Sequence, residues 1–256
     1  MEPLSEAQVI ANLRQSEDVS AQYYAAWWLG KMRSRHPLAV PLLLDTLPAL
    51  SQVPVDPERR GVALNAIRAL GLLQDAPALG ALLPLLQSSD YTVREEAARS
   101  LGLHQAIEAI GPLCHLIASG PEQAGRQQPG SALLEEPCEA VLEALGAIGV
   151  TTPNILETIT PFTQHPRPLI RAAACRALLQ ITGDERWASE LEQLLLHPEP
   201  LVRRGALLDL GATGWTASLP AIEAAAVENS LKLVALRGLA EQSGDSSILD
   251  AMDSLL

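Results

Sequence analysis

Aromatic residues are scarce in this chain: one Phe, three Tyr and four Trp among 256 residues. Cysteine is scarcer. Cys114, Cys138 and Cys175 are an odd, scattered set with no CxxC pair, which excludes a disulfide framework and a thiolate metal cage. Each lies in or at the edge of an apolar helical pattern. A small core hydrophobe is the expected role, and a thiol that transiently holds an electrophile is the sharper alternative. Positive charge is also short: 18 Lys and Arg face 30 Asp and Glu, a net charge of −12. No compact basic run offsets this, so the chain repels a phosphate backbone and nucleic acid is not an expected partner. Long uncharged apolar runs are missing, so no membrane-spanning helix is expected. The segment Met1-Glu2-Pro3-Leu4-Ser5-Glu6 has neither the basic nor the apolar region of a signal peptide, which points to a cytoplasmic location. The five histidines make no HExxH or i, i+4 pair, and there is no GxGxxG, P-loop or GxSxG motif. No metal site is expected, and no catalytic residue can be named.

What the chain does have is a repeat. Tyr91-Thr92-Val93-Arg94-Glu95-Glu96-Ala97-Ala98-Arg99-Ser100-Leu101-Gly102 is its clearest copy, and the segments 168–178 and 200–211 match it. Anchor leucines fall at 29, 70, 101, 145, 178, 210 and 239, spaced by 41, 31, 44, 33, 32 and 29 residues. A unit of about 30 residues is two short helices with turns, and the two long intervals carry insertions. The first helix of several units holds a proline (Pro41, Pro84, Pro112, Pro220), which removes a ladder bond and bends it. Asp90 is a candidate N-cap, and prolines such as Pro168 and Pro200 suit a first helical turn. No sustained period-2 alternation suggests strands. The expected fold is an all-α, HEAT-like solenoid: one domain over 1–256, about seven helix pairs with a partial eighth unit, and insertions at about 51–58 and 119–136. The second insertion is rich in Gly and Pro and reads as a mobile loop.

Four of the eight aromatics sit together in Tyr23-Tyr24-Ala25-Ala26-Trp27-Trp28, ahead of Leu29-Gly30. Their spacing predicts two i, i+4 pairs, Tyr23 with Trp27 and Tyr24 with Trp28. Counting back from each anchor leucine L, positions L−8, L−4 and L−3 are apolar or small and form the buried stripe. Position L−7 is Arg94, Arg171, Arg203 or Lys232, a register where an ion ladder with carboxylates between repeats is expected. Position L−2 holds Arg68, Arg99, Arg176 and Arg237, but Trp27 in the first copy. Tyr23 and Trp27 thus occupy what is an open face in later repeats. Tyr24 and Trp28 replace small residues and are expected to pack. Two readings of the cluster stand: a cap on the end of the array, or an aromatic platform for a conjugated ligand or a partner. The L−2 arginines are either a solvated face or a carboxylate-binding stripe.

The segment Tyr23-Tyr24-Ala25-Ala26-Trp27-Trp28-Leu29-Gly30-Lys31-Met32-Arg33 resembles the first repeat of the E subunit of E/F-type phycobilin lyases, the phycocyanin α-subunit lyases of cyanobacteria. The resemblance extends over nearly the whole chain, through the repeat period, the insertion and the copy at 91–95. It implies an enzyme, a phycobilin:protein-cysteine lyase, of which this chain is one subunit. The partner implied is a homologous F-type subunit in a heterodimer. The pair would bind phycocyanobilin as a transferred substrate, with no tightly bound cofactor, and attach it by a thioether to a cysteine of the phycocyanin α-subunit. Under this resemblance Tyr23, Tyr24, Trp27 and Trp28 are bilin- or acceptor-binding residues, and Arg68 and Arg99 are candidates for the bilin propionates. Two other functions remain: the E subunit of the isomerising lyase of phycoerythrocyanin, and a non-enzymatic HEAT scaffold for protein–protein interaction. Family members can run longer than this chain, so a shortened C-terminus is one reading of where it stops.

Overall fold

The computed structural model describes residues 4–255. Those residues form α-helices, short 3-10 turns and one isolated bridge, without a strand. The chain divides into two compact units, Met1–Leu116 and Ile117–Leu256. In the first, α1 (Glu6–Arg14) pairs with α2 (Val19–Lys31), α3 (Ala39–Leu44) with α4 (Pro57–Leu73), and α5 (Leu79–Leu82) with α6 (Tyr91–Leu103); α7 (Ile110–Leu116) ends the unit. The second opens with α8 (Pro121–Ala124) and α9 (Cys138–Ile148). Then come α10 (Pro153–Ile159) with α11 (Pro168–Thr182), α12 (Glu185–Leu194) with α13 (Pro200–Thr213), α14 (Leu219–Ala224) with α15 (Asn229–Ser243), and the lone α16 (Ile248–Asp253). This is the all-α HEAT solenoid that the repeat period predicts.

Proline sets the form of the first helices. α3, α5 and α10 each give way to a 3-10 turn, at Leu47–Ser51, Leu83–Gln87 and Thr160–Gln164, with Pro48, Pro84 and Pro161 near the starts of those turns. A proline cannot donate to the helical ladder, so the α-form stops near it. α12 carries no proline and runs unbroken for 10 residues. Two second helices of the first unit begin on aspartate caps, Asp90 as the sequence suggests. Asp90 Oδ1 accepts from the Thr92 and Val93 amides at 2.9 and 3.4 Å, and Asp56 caps α4 in the same way.

The anchor leucines carry the core. All seven are at most 2% exposed, and truncating such a side chain to Ala typically costs about 2–5 kcal/mol. The residues at L−4 and L−3 are buried in every copy. The glycine after the anchor has a separate cause. A Cβ on Gly30 would stand 2.6 Å from Ala69 Cα, and one on Gly71 2.8 Å from Ser100 Cα. Successive second helices therefore touch backbone to backbone at this point, and the L−1 residue of the next helix fills the place a side chain would take.

Three of the L−7 cations, Arg94, Arg203 and Lys232, reach backbone carbonyls. Arg94 Nη1 donates to Ser88 O at 2.9 Å, Arg203 Nη1 to His197 O and Pro198 O at 2.8 and 2.9 Å, and Lys232 Nζ to Glu223 O at 2.5 Å. They satisfy carbonyls at the end of the preceding first helix, which have no intrahelical donor and carry the negative end of the helix dipole. Two L−2 arginines bridge successive repeats: Arg68 meets Glu96 of the next second helix at 2.5 Å, and Arg176 meets Asp209 at 3.2 Å.

Residues 119–136 are more structured than their Gly and Pro content predicts. α8 is followed by a bridge between Gln127 and Leu134, with Glu135 N donating to Arg126 O at 2.8 Å. Leu134 and Ala124 are buried. His165 pins the segment: its ring packs where Gly125 leaves no room for a Cβ, and its Nδ1 accepts from the Arg167 amide at 3.0 Å. Arg167 in turn donates to Gln127 Oε1 at 2.9 Å.

Candidate functional site

Asp18 starts α2 by accepting from the Ala21 amide at 2.9 Å. Ala25, Ala26, Leu29 and Gly30 then bury one side of the helix. With period 3.6, positions 23, 24 and 27 must fall on the opposite side. There Tyr23 is 48% exposed, Tyr24 43% and Trp27 46%. Trp28 is half-buried at the edge of this face. For side chains this large to stay open on one helix is uncommon, and together they make a contiguous aromatic patch.

Two details differ from the expectation. The ring contact on this face joins Tyr24 and Trp27, i and i+3, with centroids 5.5 Å apart and planes tilted by 39°. Tyr23 does not stack on Trp27. Its ring edge lies 3.4 Å from where a Cβ on Gly61 would stand, so it leans onto α4. Tyr24, expected to pack, is as open as its neighbours, because its partner is the exposed Trp27. A third residue fixes the patch in place. Asn65, 2% exposed at L−5 of α4, donates from Nδ2 to Tyr23 O at 3.1 Å. Its Oδ1 accepts from Arg68 Nη1 at 3.1 Å. An asparagine in an apolar stripe is the signal that could have revealed this tie in the sequence.

Arg68 and Arg99 border the same face, and neither offers a bare guanidinium. Arg68 also holds Glu96, whose hydrogen bond and charge raise its pKa further. Arg99 lies 3.5 Å from Glu95 on its own helix. The structure thus gathers Tyr23, Tyr24, Trp27, Asn65 and Arg68 through direct contacts, while Arg99 sits one helix further along the row.

The rest of the chemical inventory is quiet. All three cysteines are free and buried, and burial pushes the Cys138 and Cys175 thiols up to about 12. Such thiols stay protonated at neutral pH and are poor nucleophiles, which argues against a covalent handover through either of these. Burial lowers the pKa of His104 and of His165, and backbone groups engage both rings. Among the described residues no group of His, Cys, Asp and Glu could hold a metal ion. Among the described residues no helix is long and apolar enough to cross a membrane. An exposed aromatic patch without a nucleophile can bind and orient, and leaves reacting atoms to its ligands.

Comparison with known proteins agrees with this geometry. The HEAT-repeat family model matches residues 47–133, 138–211 and 156–240, and the model of the PBS lyase HEAT-like repeat matches residues 21–47, which include the aromatic patch. The bilin biosynthesis protein RpcE of Synechococcus sp. (strain WH8020) is 65% identical over 99% of this chain and 96% of its own length. The phycocyanobilin lyase subunit alpha of Picosynechococcus sp. is 41% identical over 97% of this chain and 95% of its own. Among solved structures, one from the complex of CpcE and CpcF of phycocyanin lyase from Nostoc sp. PCC7120 superposes with a TM-score of 0.85 at 39% identity, covering 100% of this chain and 96% of that one. The chain belongs to the HEAT-repeat bilin lyase subunits, the family of the phycocyanobilin lyase alpha subunits.

Proposed function

We propose that this chain is the E-type subunit of a heterodimeric lyase that works with an F-type subunit, binds phycocyanobilin and attaches it to a cysteine of the phycocyanin α-subunit. The observation that carries the reading is the open aromatic face of α2, which lies within the segment matched by the lyase-type repeat model. In the reaction the acceptor thiol adds across the ethylidene double bond of the bilin. A sulfur–carbon bond forms, the thiol proton passes to the conjugated system, and nothing leaves. The bilin is a transferred substrate, and no tightly bound cofactor is part of this proposal. Both reactive atoms come from the substrates, which suits a subunit whose most basic thiols are buried. The contribution of this chain is orientation: holding the two reactants in one geometry lowers the barrier without acid–base chemistry of its own.

On this reading Tyr23, Tyr24, Trp27 and Trp28 meet the bilin or the acceptor protein, and Arg68 and Arg99 belong to the acceptor-binding part of the face. The test is co-expression of Tyr23→Ala/Trp27→Ala with an F-type subunit, the acceptor and a bilin source. Loss of coloured acceptor with normal helical content supports the assignment; undiminished chromophore attachment refutes it. The name of the 65% identical relative specifies a bilin without saying which. The second reading is the E subunit of an isomerising lyase, in which the product carries phycoviolobilin. Absorption of the coloured acceptor separates the two.

A further inference from the structure

The first unit has a cleft that the aromatic face does not explain. It lies between α1, α3, the turn at Leu47–Ser51 and the first turn of α4, and encloses about 540 Å³, a size typical of small-molecule sites. Its floor is apolar, with Leu13 and Val62 almost wholly buried beneath it. Two guanidiniums line it, Arg14 from the last turn of α1 and Arg59 from the first turn of α4. Neither has a side-chain hydrogen bond or ion pair to the described residues, and Asp45 is the one carboxylate in the lining.

Several other arginines of the chain are engaged within the fold. Arg60, next to Arg59, turns away to hold Asp90 through two hydrogen bonds at 2.5 and 2.8 Å. Arg68 and Arg176 each hold a carboxylate, and Arg94 and Arg203 hold carbonyls. In a protein of net charge −12, an apolar cleft lined by two unengaged guanidiniums is set up for an anionic ligand with an apolar body. Guanidinium is the group best shaped to take a carboxylate through two parallel hydrogen bonds.

We propose that this cleft binds the linear tetrapyrrole by its two propionates, one on Arg14 and one on Arg59, with the pyrrole body over the apolar floor. The assignment rests on the bilin reading above and moves the propionates away from Arg68 and Arg99, which already hold glutamates. The cleft and the patch lie on different sides of α2. Gln22 lines the cleft, and Trp27, five residues on, points about 140° away around the helix. The aromatic face is then left to the acceptor protein.

An absorption titration with phycocyanobilin, in the presence of the F-type partner, tests this. The wild-type chain is compared with Arg14→Gln/Arg59→Gln, and phycocyanobilin with its dimethyl ester. The expected result is at least a tenfold loss of affinity for the diacid in the double variant. Esterification should weaken binding to the wild type but not to the double variant. Arg186→Gln, an exposed charge in the second unit, should bind as wild type does. Equal diacid affinity in the wild type and the double variant overturns the cleft and leaves the lyase reading standing. A similar loss in Arg186→Gln overturns it too, since net charge alone would then account for the effect. No spectral change with the wild-type pair overturns both readings together.

Discussion

Arg176 of α11 reaches across to Asp209 of α13, Nη1 to Oδ1 at 3.2 Å, and this pair is nearly closed off from solvent. Burial pushes the Asp209 carboxyl up to about 6, with Glu143 and Glu139 adding to the rise and Arg176 opposing it. Burial outweighs the ion pair because a charge taken from water loses more than a single partly aligned partner returns. An unfolded Asp titrates near 3.9. Between the two values the folded chain keeps a proton that the unfolded chain has lost. Stability therefore falls as pH rises through that window, by about 3 kcal/mol. Urea titrations at intervals from pH 4 to 7 should show this slope in the wild type and a flatter one in Asp209→Asn. Identical slopes would place the carboxyl pKa at its ordinary value.

Gly71→Ala should destabilise the first unit. The new Cβ would stand 2.8 Å from Ser100 Cα and 2.6 Å from Ser100 Oγ, and backbone cannot yield as a flexible side chain can. The expected cost is about 1–3 kcal/mol. Gly111→Ala is the matched control, because nothing lies within 4 Å of its Cβ. There, stability should be unchanged or raised by up to about 1 kcal/mol. Thermal melts of the two variants decide the point, and equal melting temperatures would mean that the close approach of α4 and α6 relaxes freely.

Cys138 and Cys175 should resist alkylation in the native protein. Both thiols are buried and pushed up to about 12, so neither access nor thiolate is available at neutral pH. Mass spectrometry after iodoacetamide treatment at pH 7.5 should find both unmodified until denaturant is added. Rapid native labelling of either would reopen a covalent role for this chain.

The repeat was legible because Leu, Ala and Gly at fixed intervals report contacts inside the stack. Leu101 and Gly102, or Val93 with Ala97 and Ala98, have few alternatives once helices must nest. The polar rows were harder to read. Arg94 and Arg99 look alike in sequence, yet one reaches back to a carbonyl of the preceding turn and the other faces a carboxylate. Which of these happens depends on where the first helix ends, and prolines set that end. The openness of Tyr23 and Trp27 followed from register alone. The openness of Tyr24 did not, since it hangs on a ring contact one residue shorter than the spacing implied. The insertion at 119–136 was misread because Gly and Pro content says nothing about a buried histidine 29 residues downstream of residue 136 that holds the segment in place.

The backbone contact at each glycine also decides where in this chain novelty can arise. At L−1 of α4 and α6, Ala69 and Ser100 lie against Gly30 and Gly71 with no room to grow. Trp28 holds the same register in α2, and among the described residues no earlier second helix presses against it. A bulky ring is therefore tolerated in the first repeat and would be jammed in the next two. Diversification of recognition within this unit is channelled to its leading helix, and relatives with other pigments or acceptors should differ there before they differ along the stack.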